Sequence, residues 1–284
     1  MNTYIAVLLG VVQGLTEFLP ISSTAHLTLI GKLLGLIDSN KSPEWTAFLA
    51  IIQLGTLIAV LTYFARDVVN MALSLYRDVS TRGGGEGFRG YSFESRLALC
   101  VVAGTLPVAI IGFLAKRIIE GAFTKSTVVI ICSLIVLALL LLIAERTARH
   151  TRSIEHITFK DAFVVGFAQV LALIPGSSRS GTTITASLFL GLTRPAAARF
   201  SFMLSIPAVL ASGLYELLKI DKSVFTYGIE NLVIATLVSA ISGYLAISWL
   251  LRYLMGHTTL VFVWYRIGLG VVLCALLWWN IIGA

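Results

Sequence analysis

Two apolar segments of the chain are interrupted near their centres by polar and helix-breaking residues, and the two interruptions carry a related motif. The first segment, residues 4–36, contains QGLTEFLPISSTAH, and the second, residues 162–191, contains PGSSRSG. A Gly-x-x-Gln pattern recurs at a separation of 156, and a Pro-x-Ser-Ser pattern, starting at Pro20 and Pro175, follows at a separation of 155. Proline breaks a helix and hydroxyls cap the next one, so each segment is predicted to be a helix-break-helix hairpin.

The composition places these hairpins in a membrane. Hydrophobic residues make up 57% of the 284 positions and charged residues only 12%, whereas a soluble domain carries about 25% charged residues. Irregular backbone survives at membrane depth only inside protein or beside a water-filled cavity. Both breaks are therefore predicted to line such a cavity.

Six continuous apolar segments accompany the hairpins, and each reaches the length of about 20 residues that spans a bilayer. They cover residues 46–64, 97–115, 126–144, 200–218, 229–251 and 258–282. We predict an all-α polytopic membrane protein, a single integral membrane domain over residues 1–284 with about six transmembrane helices and two re-entrant helical hairpins. Each half, about 1–145 and 160–284, then has an odd number of crossings, so the two halves form an inverted-topology repeat.

The distribution of lysine and arginine predicts the orientation. The face that holds both termini and the first hairpin receives 7 of these residues and the opposite face 12, so the opposite face is predicted to be cytoplasmic and both termini outside. The net charge of +7 is attributed to basic loops and not to nucleic-acid binding. Residues 65–96 are predicted to be a loop with a flexible turn at residues 83–85. Arg266, near the start of the last span, is predicted to extend to the cytoplasmic surface.

Glu17, His26 and Arg179 are the ionisable residues placed deepest in the interrupted segments. An intramembrane charge is costly unless it is paired or hydrated, so these residues predict a functional site. A structural Glu–Arg clasp between the halves is the alternative. The adjacent hydroxyls and glycines favour a site, because helix N-termini attract anions and the guanidinium of Arg179 can grip a phosphate bidentately. The implied ligand is a phosphate or diphosphate at membrane depth.

The predicted catalytic residues are Glu17, Ser23, His26 and Arg179. Glu17 would act as the base that makes Ser23 a nucleophile, or would ligate a divalent cation; His26 would protonate a leaving oxygen, attack phosphorus itself, or only pack. The predicted substrate-binding residues lie along both breaks, and Gln13 among them either contacts the ligand or caps the hairpin: Gln13, Ser22, Thr24, Gly176, Ser177, Ser178, Ser180 and Thr183.

At these residues the chain resembles the undecaprenyl pyrophosphate phosphatase family, the bacitracin-resistance proteins. The shared motifs are QxxxE at residues 13–17, PISSTAH at 20–26 and PGSSRSGxT at 175–183, and the resemblance extends over essentially the whole chain. It implies hydrolysis of undecaprenyl diphosphate to the monophosphate and inorganic phosphate, at the outer face of the bacterial cytoplasmic membrane, which recycles the cell-wall lipid carrier. The family is associated with divalent cations, such as magnesium or calcium. It permits Glu or Gln at the position of Gln13, which leaves Glu17 as the candidate ligand.

A transporter or flippase of a phosphorylated polyprenyl lipid is the alternative function, because secondary transporters also use inverted repeats with broken helices. The cluster of Glu17, Ser23 and His26 favours an enzyme, since transport needs a binding site but neither a nucleophile nor a base. The nucleophile itself stays open among Ser23, His26 and water. The expected partners are a polyprenyl diphosphate lipid and the bilayer, with no nucleic acid, and a homodimer is left open.

Overall fold

The computed structural model describes residues 1–37, 42–82, 90–115, 126–218 and 227–283. The predicted turn at residues 83–85 lies outside this part of the chain. So do seven of the basic residues counted for the orientation: Lys41, Arg89, Lys116, Arg117, Lys125, Lys219 and Lys222.

The described residues fold into α-helices with two short 3₁₀ turns, Ile154–His156 and Leu171–Leu173, and no strand. The helices, in chain order, are α1 (Thr3–Phe18), α2 (Ser23–Leu33), α3 (Ser42–Tyr63), α4 (Ala65–Arg82), α5 (Phe93–Leu114), α6 (Thr127–Thr147), α7 (Phe159–Val170), α8 (Arg179–Phe189), α9 (Arg194–Leu218), α10 (Ile229–Gly256) and α11 (Leu260–Trp278). Within these ranges α3, α5, α6, α9, α10 and α11 are long and apolar enough to cross a membrane. The chain is an all-α polytopic membrane protein with six such helices, as predicted.

The stretch predicted as a loop after the first continuous span begins with a helix, α4, so that prediction is wrong for residues 65–82. The loop was predicted because the segment is charged and lies between two apolar spans. The apolar residues Val69, Leu73 and Tyr76, however, recur at the helical spacing of three and four residues, and all three are exposed along one face. The C-terminal part of α4 is tied to the start of α5, because Asp78 accepts hydrogen bonds from Ser92.

The two helix breaks share one backbone conformation. Ser22, before α2, has φ 75° and ψ 99°, and Ser178, before α8, has φ 67° and ψ 115°. Each serine Oγ accepts a hydrogen bond from the backbone N–H three residues later, as an N-cap does. The structure thus pairs Ser22 with Ser178 at a separation of 156, and not with Ser177 as the sequence match had it. Cap geometry sets the register, and no deletion is needed.

The two hairpins exchange packing partners between the halves. Helix α1 packs against α10 and α7 packs against α5. Both contacts bring backbones together at glycines: a Cβ at Gly14 would overlap Ser242, and one at Gly166 would overlap the backbone of Gly104. Close approach at small residues is how membrane helices gain packing energy. A pseudo-two-fold axis produces such an exchange, while the inverted repeat itself stays a prediction.

Glu145, close to the end of α6, ties one end of the helix bundle together. It forms an ion pair with Arg194 at the start of α9, and it accepts a hydrogen bond of 2.7 Å from Thr259, which precedes α11. Three helix ends therefore meet at this carboxylate.

The opposite end of the bundle holds both chain termini. Thr127, the first residue of α6, donates to the carbonyl of Gly283 at 2.7 Å, and Lys32 donates to the same carbonyl at 2.6 Å. Asn231, near the start of α10, donates to the carbonyl of Met1 at 2.7 Å. The termini thus lie on the same side of the helix bundle.

Candidate active site

The two breaks meet at a cavity of about 260 Å³. Apolar side chains of α3, α5 and α9, among them Leu49, Val108 and Ala208, complete its wall. Eight of the twelve predicted site residues line it: Gln13, Glu17, Ser22, Ser23, Thr24, Gly176, Ser178 and Arg179.

Glu17 is the centre of the polar contacts in this cavity. Its Oε1 accepts a hydrogen bond of 2.7 Å from Arg179 Nη2, and its Oε2 accepts one of 2.7 Å from Ser23 Oγ and one of 3.2 Å from Gln13 Nε2. The Glu17 side chain is only 8% exposed. The Glu–Arg clasp between the halves, which was the alternative to a functional site, is therefore present. Its two residues line the same cavity as Ser23. One ion pair joins the two halves at the cavity.

Ser23 and Arg179 occupy equivalent places in the two hairpins. Ser23 is the first residue of α2 and Arg179 the first residue of α8, and both contact Glu17. The N-termini of both helices thus approach one carboxylate, and their free N–H groups and dipoles favour an anion there. Two helix N-termini, one guanidinium and one carboxylate thus meet at the cavity.

His26 does not line the cavity. Its Nδ1 lies 2.7 Å from the carbonyl of Ser22, its Nε2 lies 2.6 Å from the hydroxyl of Tyr265, and the two rings stack at 5.5 Å. A carbonyl only accepts, so Nδ1 carries the proton. Nδ1 thus binds the cap of its own helix and Nε2 holds α2 to α11, which agrees with the packing role that was the alternative for this residue.

Three predicted substrate-binding residues also lie outside the cavity. Ser180 donates to the carbonyl of Leu19 at 3.1 Å, which links the second break to the first. Thr183 hydrogen-bonds Ser201 at 2.6 Å and fixes α8 against α9. Ser177 is fully buried, and its Oγ has no hydrogen-bond partner. Of the six predicted residues in the second motif, three line the cavity, two hold the break and α8 in place, and Ser177 does neither through its side chain.

Arg266 is the residue that sequence reasoning placed wrongly. Instead of extending to the surface, its side chain is fully buried. It donates to carbonyls of both breaks and of α6, at distances from 3.1 to 3.4 Å: Pro20, Ser133, Leu134, Gly176 and Ser177.

The physical reason is that helix breaks leave carbonyls without helical donors, and inside a membrane these must be satisfied by protein. A guanidinium with five N–H groups meets several of them at once. The sequence contains a hint of this role, since it predicts two buried breaks and also an arginine within a span. The position of Arg266 close to the start of that span instead favours a side chain that reaches the surface, which is why the prediction is wrong.

The side chains at the cavity do not provide enough ligands to bind a metal ion by themselves. The described residues contain no group of three or more His, Cys, Asp or Glu side chains that could hold a metal ion. Glu17 contributes a single carboxylate, and both of its oxygens are paired with protein donors. Magnesium is commonly bound through one or two carboxylates together with substrate phosphates, so a cation here would depend on a phosphorylated ligand.

Comparison with known proteins identifies the family of this chain. The family described as bacitracin resistance protein BacA matches residues 6–272. An undecaprenyl-diphosphatase of Syntrophobacter fumaroxidans is 54% identical over 281 residues, covering 98% of this chain and 97% of the relative. Proteins of the same name from Myxococcus xanthus and Chloroherpeton thalassium are 49% and 48% identical, each over 98% of this chain and over 90% and 97% of their own lengths. The chain belongs to the BacA family of bacitracin resistance proteins.

Proposed function

We propose that this protein hydrolyses undecaprenyl diphosphate to undecaprenyl monophosphate and inorganic phosphate. The observation that carries the proposal is the contact of Glu17 with both Ser23 and Arg179, each at 2.7 Å, in the wall of a cavity between two helix N-termini. This arrangement offers a nucleophile, a base and an anion site together. Relatives covering nearly the full chain are named undecaprenyl-diphosphatase.

The substrate binds through its charge. Arg179 and the N-termini of α2 and α8 hold the diphosphate, which competes with Glu17 for the guanidinium. The apolar wall residues, such as Val108 and Ala208, suit the first isoprene units of the lipid. Binding therefore exchanges one partner of Arg179 for another, and it delivers phosphorus to the side of Glu17 where Ser23 lies.

Ser23 carries out the attack. Its O–H proton moves to Glu17 Oε2, its Oγ bonds to the terminal phosphorus, and the bond from that phosphorus to the bridging oxygen breaks. The bridging oxygen leaves as part of undecaprenyl monophosphate. Water then attacks the phosphoserine, inorganic phosphate leaves, and Ser23 regains a proton. Phosphoryl transfer depends chiefly on positioning and charge stabilisation, which Arg179 and the helix N-termini provide.

The divalent cation remains part of this proposal only as a companion of the substrate. Since Glu17 is one carboxylate already bound by Arg179 and Ser23, magnesium or calcium would enter coordinated to the diphosphate.

We further infer the topology. The halves, about 1–145 and 160–284, form an inverted repeat, which the matching caps at Ser22 and Ser178 support. The protein lies in the bacterial inner membrane with both termini outside the cytoplasm, and the cavity opens to the outer face. The reason is that the end of the helix bundle opposite the termini carries more Lys and Arg residues.

This topology is tested in intact cells with a membrane-impermeant maleimide, after Cys100, Cys132 and Cys274 are replaced by alanine. A cysteine introduced at Asn2 is expected to react, whereas one introduced at Arg149, an exposed residue just after α6 at the other end, is not. If Arg149→Cys were labelled and the cysteine at position 2 were not, the orientation would be opposite to the one inferred.

Hydrolysis is tested with purified protein in detergent micelles, given undecaprenyl diphosphate and a series of divalent cations. Phosphate release is expected from the wild type and from Glu155→Ala, which removes an exposed carboxylate that does not line the cavity, but not from Glu17→Ala or Arg179→Ala. A transporter or flippase has no compartments to connect in a micelle, so release that depends on Glu17 identifies an enzyme. Absence of release with every cation would refute the proposal. A trapped phosphoserine at Ser23 identifies the nucleophile.

A further inference from the structure

Gln169 is an anomaly in the cavity wall. The residue is fully buried and borders the cavity, yet within the described part of the chain neither Nε2 nor Oε1 of its amide has a hydrogen-bond partner. Leaving a buried polar group unpaired generally costs about 1–3 kcal/mol. An unpaired buried amide in a native structure calls for an explanation, and a ligand that binds only at certain times is one.

Gln13 is the counterpart of Gln169 in the first hairpin, at the separation of 156 that also relates the caps Ser22 and Ser178. The two amides have different surroundings. Gln13 donates to Glu17, one turn further along α1, at 3.2 Å. The residue one turn after Gln169 is Leu173, which offers no acceptor. The second hairpin thus keeps the amide where the carboxylate that would pair with it is absent.

The position of Gln169 is held by tight packing of α7. Gly166, one turn earlier, packs so closely against Gly104 that an added Cβ would overlap its backbone. Helix α7 therefore cannot turn to bring the amide to another partner without separating from α5.

We propose that Gln169 is a substrate-binding residue, whose Nε2 donates to a non-bridging oxygen of the diphosphate. This inference rests on the proposed function. The amide has no exposed surface in the structure, so the contact forms as the anion draws Arg179 away from Glu17 and the cavity wall yields. A neutral donor suits this place, because it satisfies a phosphate oxygen without adding a second cation beside Arg179. In the first hairpin the amide of Gln13 donates to Glu17, and in the second the amide of Gln169 donates to the ligand.

The test compares Gln169→Met with Ser187→Ala. Ser187 is also fully buried with an unpaired Oγ, but it lies outside the cavity. Both substitutions remove an unpaired polar group, so neither is expected to lower the melting temperature in detergent. Only Gln169→Met is expected to raise KM for undecaprenyl diphosphate, by about 10- to 100-fold, since a hydrogen bond to a charged group is lost. A KM equal to that of the wild type in Gln169→Met would overturn the proposal.

A second measurement separates this inference from the proposed function. Inorganic pyrophosphate is titrated into the wild type, Gln169→Met and Gln169→Glu, and binding is followed by calorimetry. The affinity is expected to fall about 10- to 100-fold in Gln169→Met, and further in Gln169→Glu, whose carboxylate repels the anion. Equal pyrophosphate affinity in all three proteins refutes the role of Gln169. A wild type that binds pyrophosphate but releases no phosphate from the lipid refutes only the hydrolysis. Should Gln169→Met fail to fold, Gln169→Glu alone carries the comparison.

Discussion

The first and second helix breaks use one backbone and different side chains. Both place a serine with positive φ before a short helix, and both present the first residue of that helix to the same cavity. In the first hairpin that residue is Ser23, and Glu17 lies one turn before the break; in the second it is Arg179, and Leu173 occupies the place of the carboxylate. One capped helix break therefore carries a hydroxyl and a carboxylate in the first half and a guanidinium in the second.

The difference also shows what keeps the halves together. Glu17 and Arg179 pair across them, Ser180 donates to the carbonyl of Leu19, and Arg266 binds carbonyls of both breaks. The two halves are thus joined by polar contacts that are costly to break in a membrane unless another polar partner replaces them. The following substitutions test how far the two breaks are unlike.

The largest effect is expected at Ser23. Ser23→Ala should lower kcat by about a thousandfold or more, because a covalent route loses its attacking atom. Ser178→Ala, in the other break, removes only a cap, which costs about 1 kcal/mol of stability, and should retain at least about a tenth of the activity. Phosphate release and thermal melting measure both. Activity of Ser23→Ala close to that of the wild type would make water the nucleophile.

Arg179→Ala should lower kcat/KM by about 100- to 1,000-fold, the usual effect of removing a donor that stabilises developing charge. Arg199→Ala is the matched control, because Arg199 forms an exposed ion pair with Asp67, the kind worth about 1 kcal/mol or less. Its steady-state kinetics should stay within about twofold of the wild type. Similar losses in the two variants would contradict a special role for the second break.

Arg266→Met should lower the melting temperature and the activity together, since it leaves carbonyls of both breaks without a donor, each at a cost of about 1–3 kcal/mol. Arg266→Lys, with a single ammonium that reaches fewer carbonyls, should fall between Met and the wild type. Thermal unfolding in detergent, with and without pyrophosphate, measures this. A melting temperature unchanged in Arg266→Met would show that the breaks hold their shape unaided.

Gly181→Ala should lower activity by about tenfold, because its Cβ would lie 2.6 Å from Arg266 Nη1. The first hairpin has Ala25 at the corresponding place, so the glycine is required only in the second break. Gly268→Ala in α11 meets nothing within 4 Å and should leave the kinetics unchanged. An equal effect of the two alanines on phosphate release would mean that the contact with Arg266 is not limiting.

The smallest effect is expected at Tyr265. Tyr265→Phe removes the hydroxyl beside His26 Nε2 and should change kcat by less than about threefold, because His26 lies outside the cavity. The pH profile of kcat should keep its shape. A large fall in kcat with a shifted profile would instead support the predicted proton transfer through His26.

Three candidate residues could be identified from the sequence because each differs in polarity from the apolar segment around it. Glu17 and Arg179 stand out because charge is costly in an apolar segment, and Ser23 because a hydroxyl follows a helix-breaking proline. The structure brings these three together in the cavity. His26 stands out equally, yet its side chain faces Tyr265 on α11, which no spacing along α2 could reveal.

The sequence by itself determined the six spans and the two breaks, because hydrophobicity and capping act within a few residues, whereas helix α4 was predicted as a loop. Only the tertiary structure decided what each break faces. Arg266 binds carbonyls 90 and 246 positions away, and the amide of Gln169 is buried without a hydrogen-bond partner among the described residues. Such contacts depend on how helices from both halves pack together. Whether a buried polar group finds a hydrogen-bond partner is therefore decided by tertiary packing and not by the local sequence.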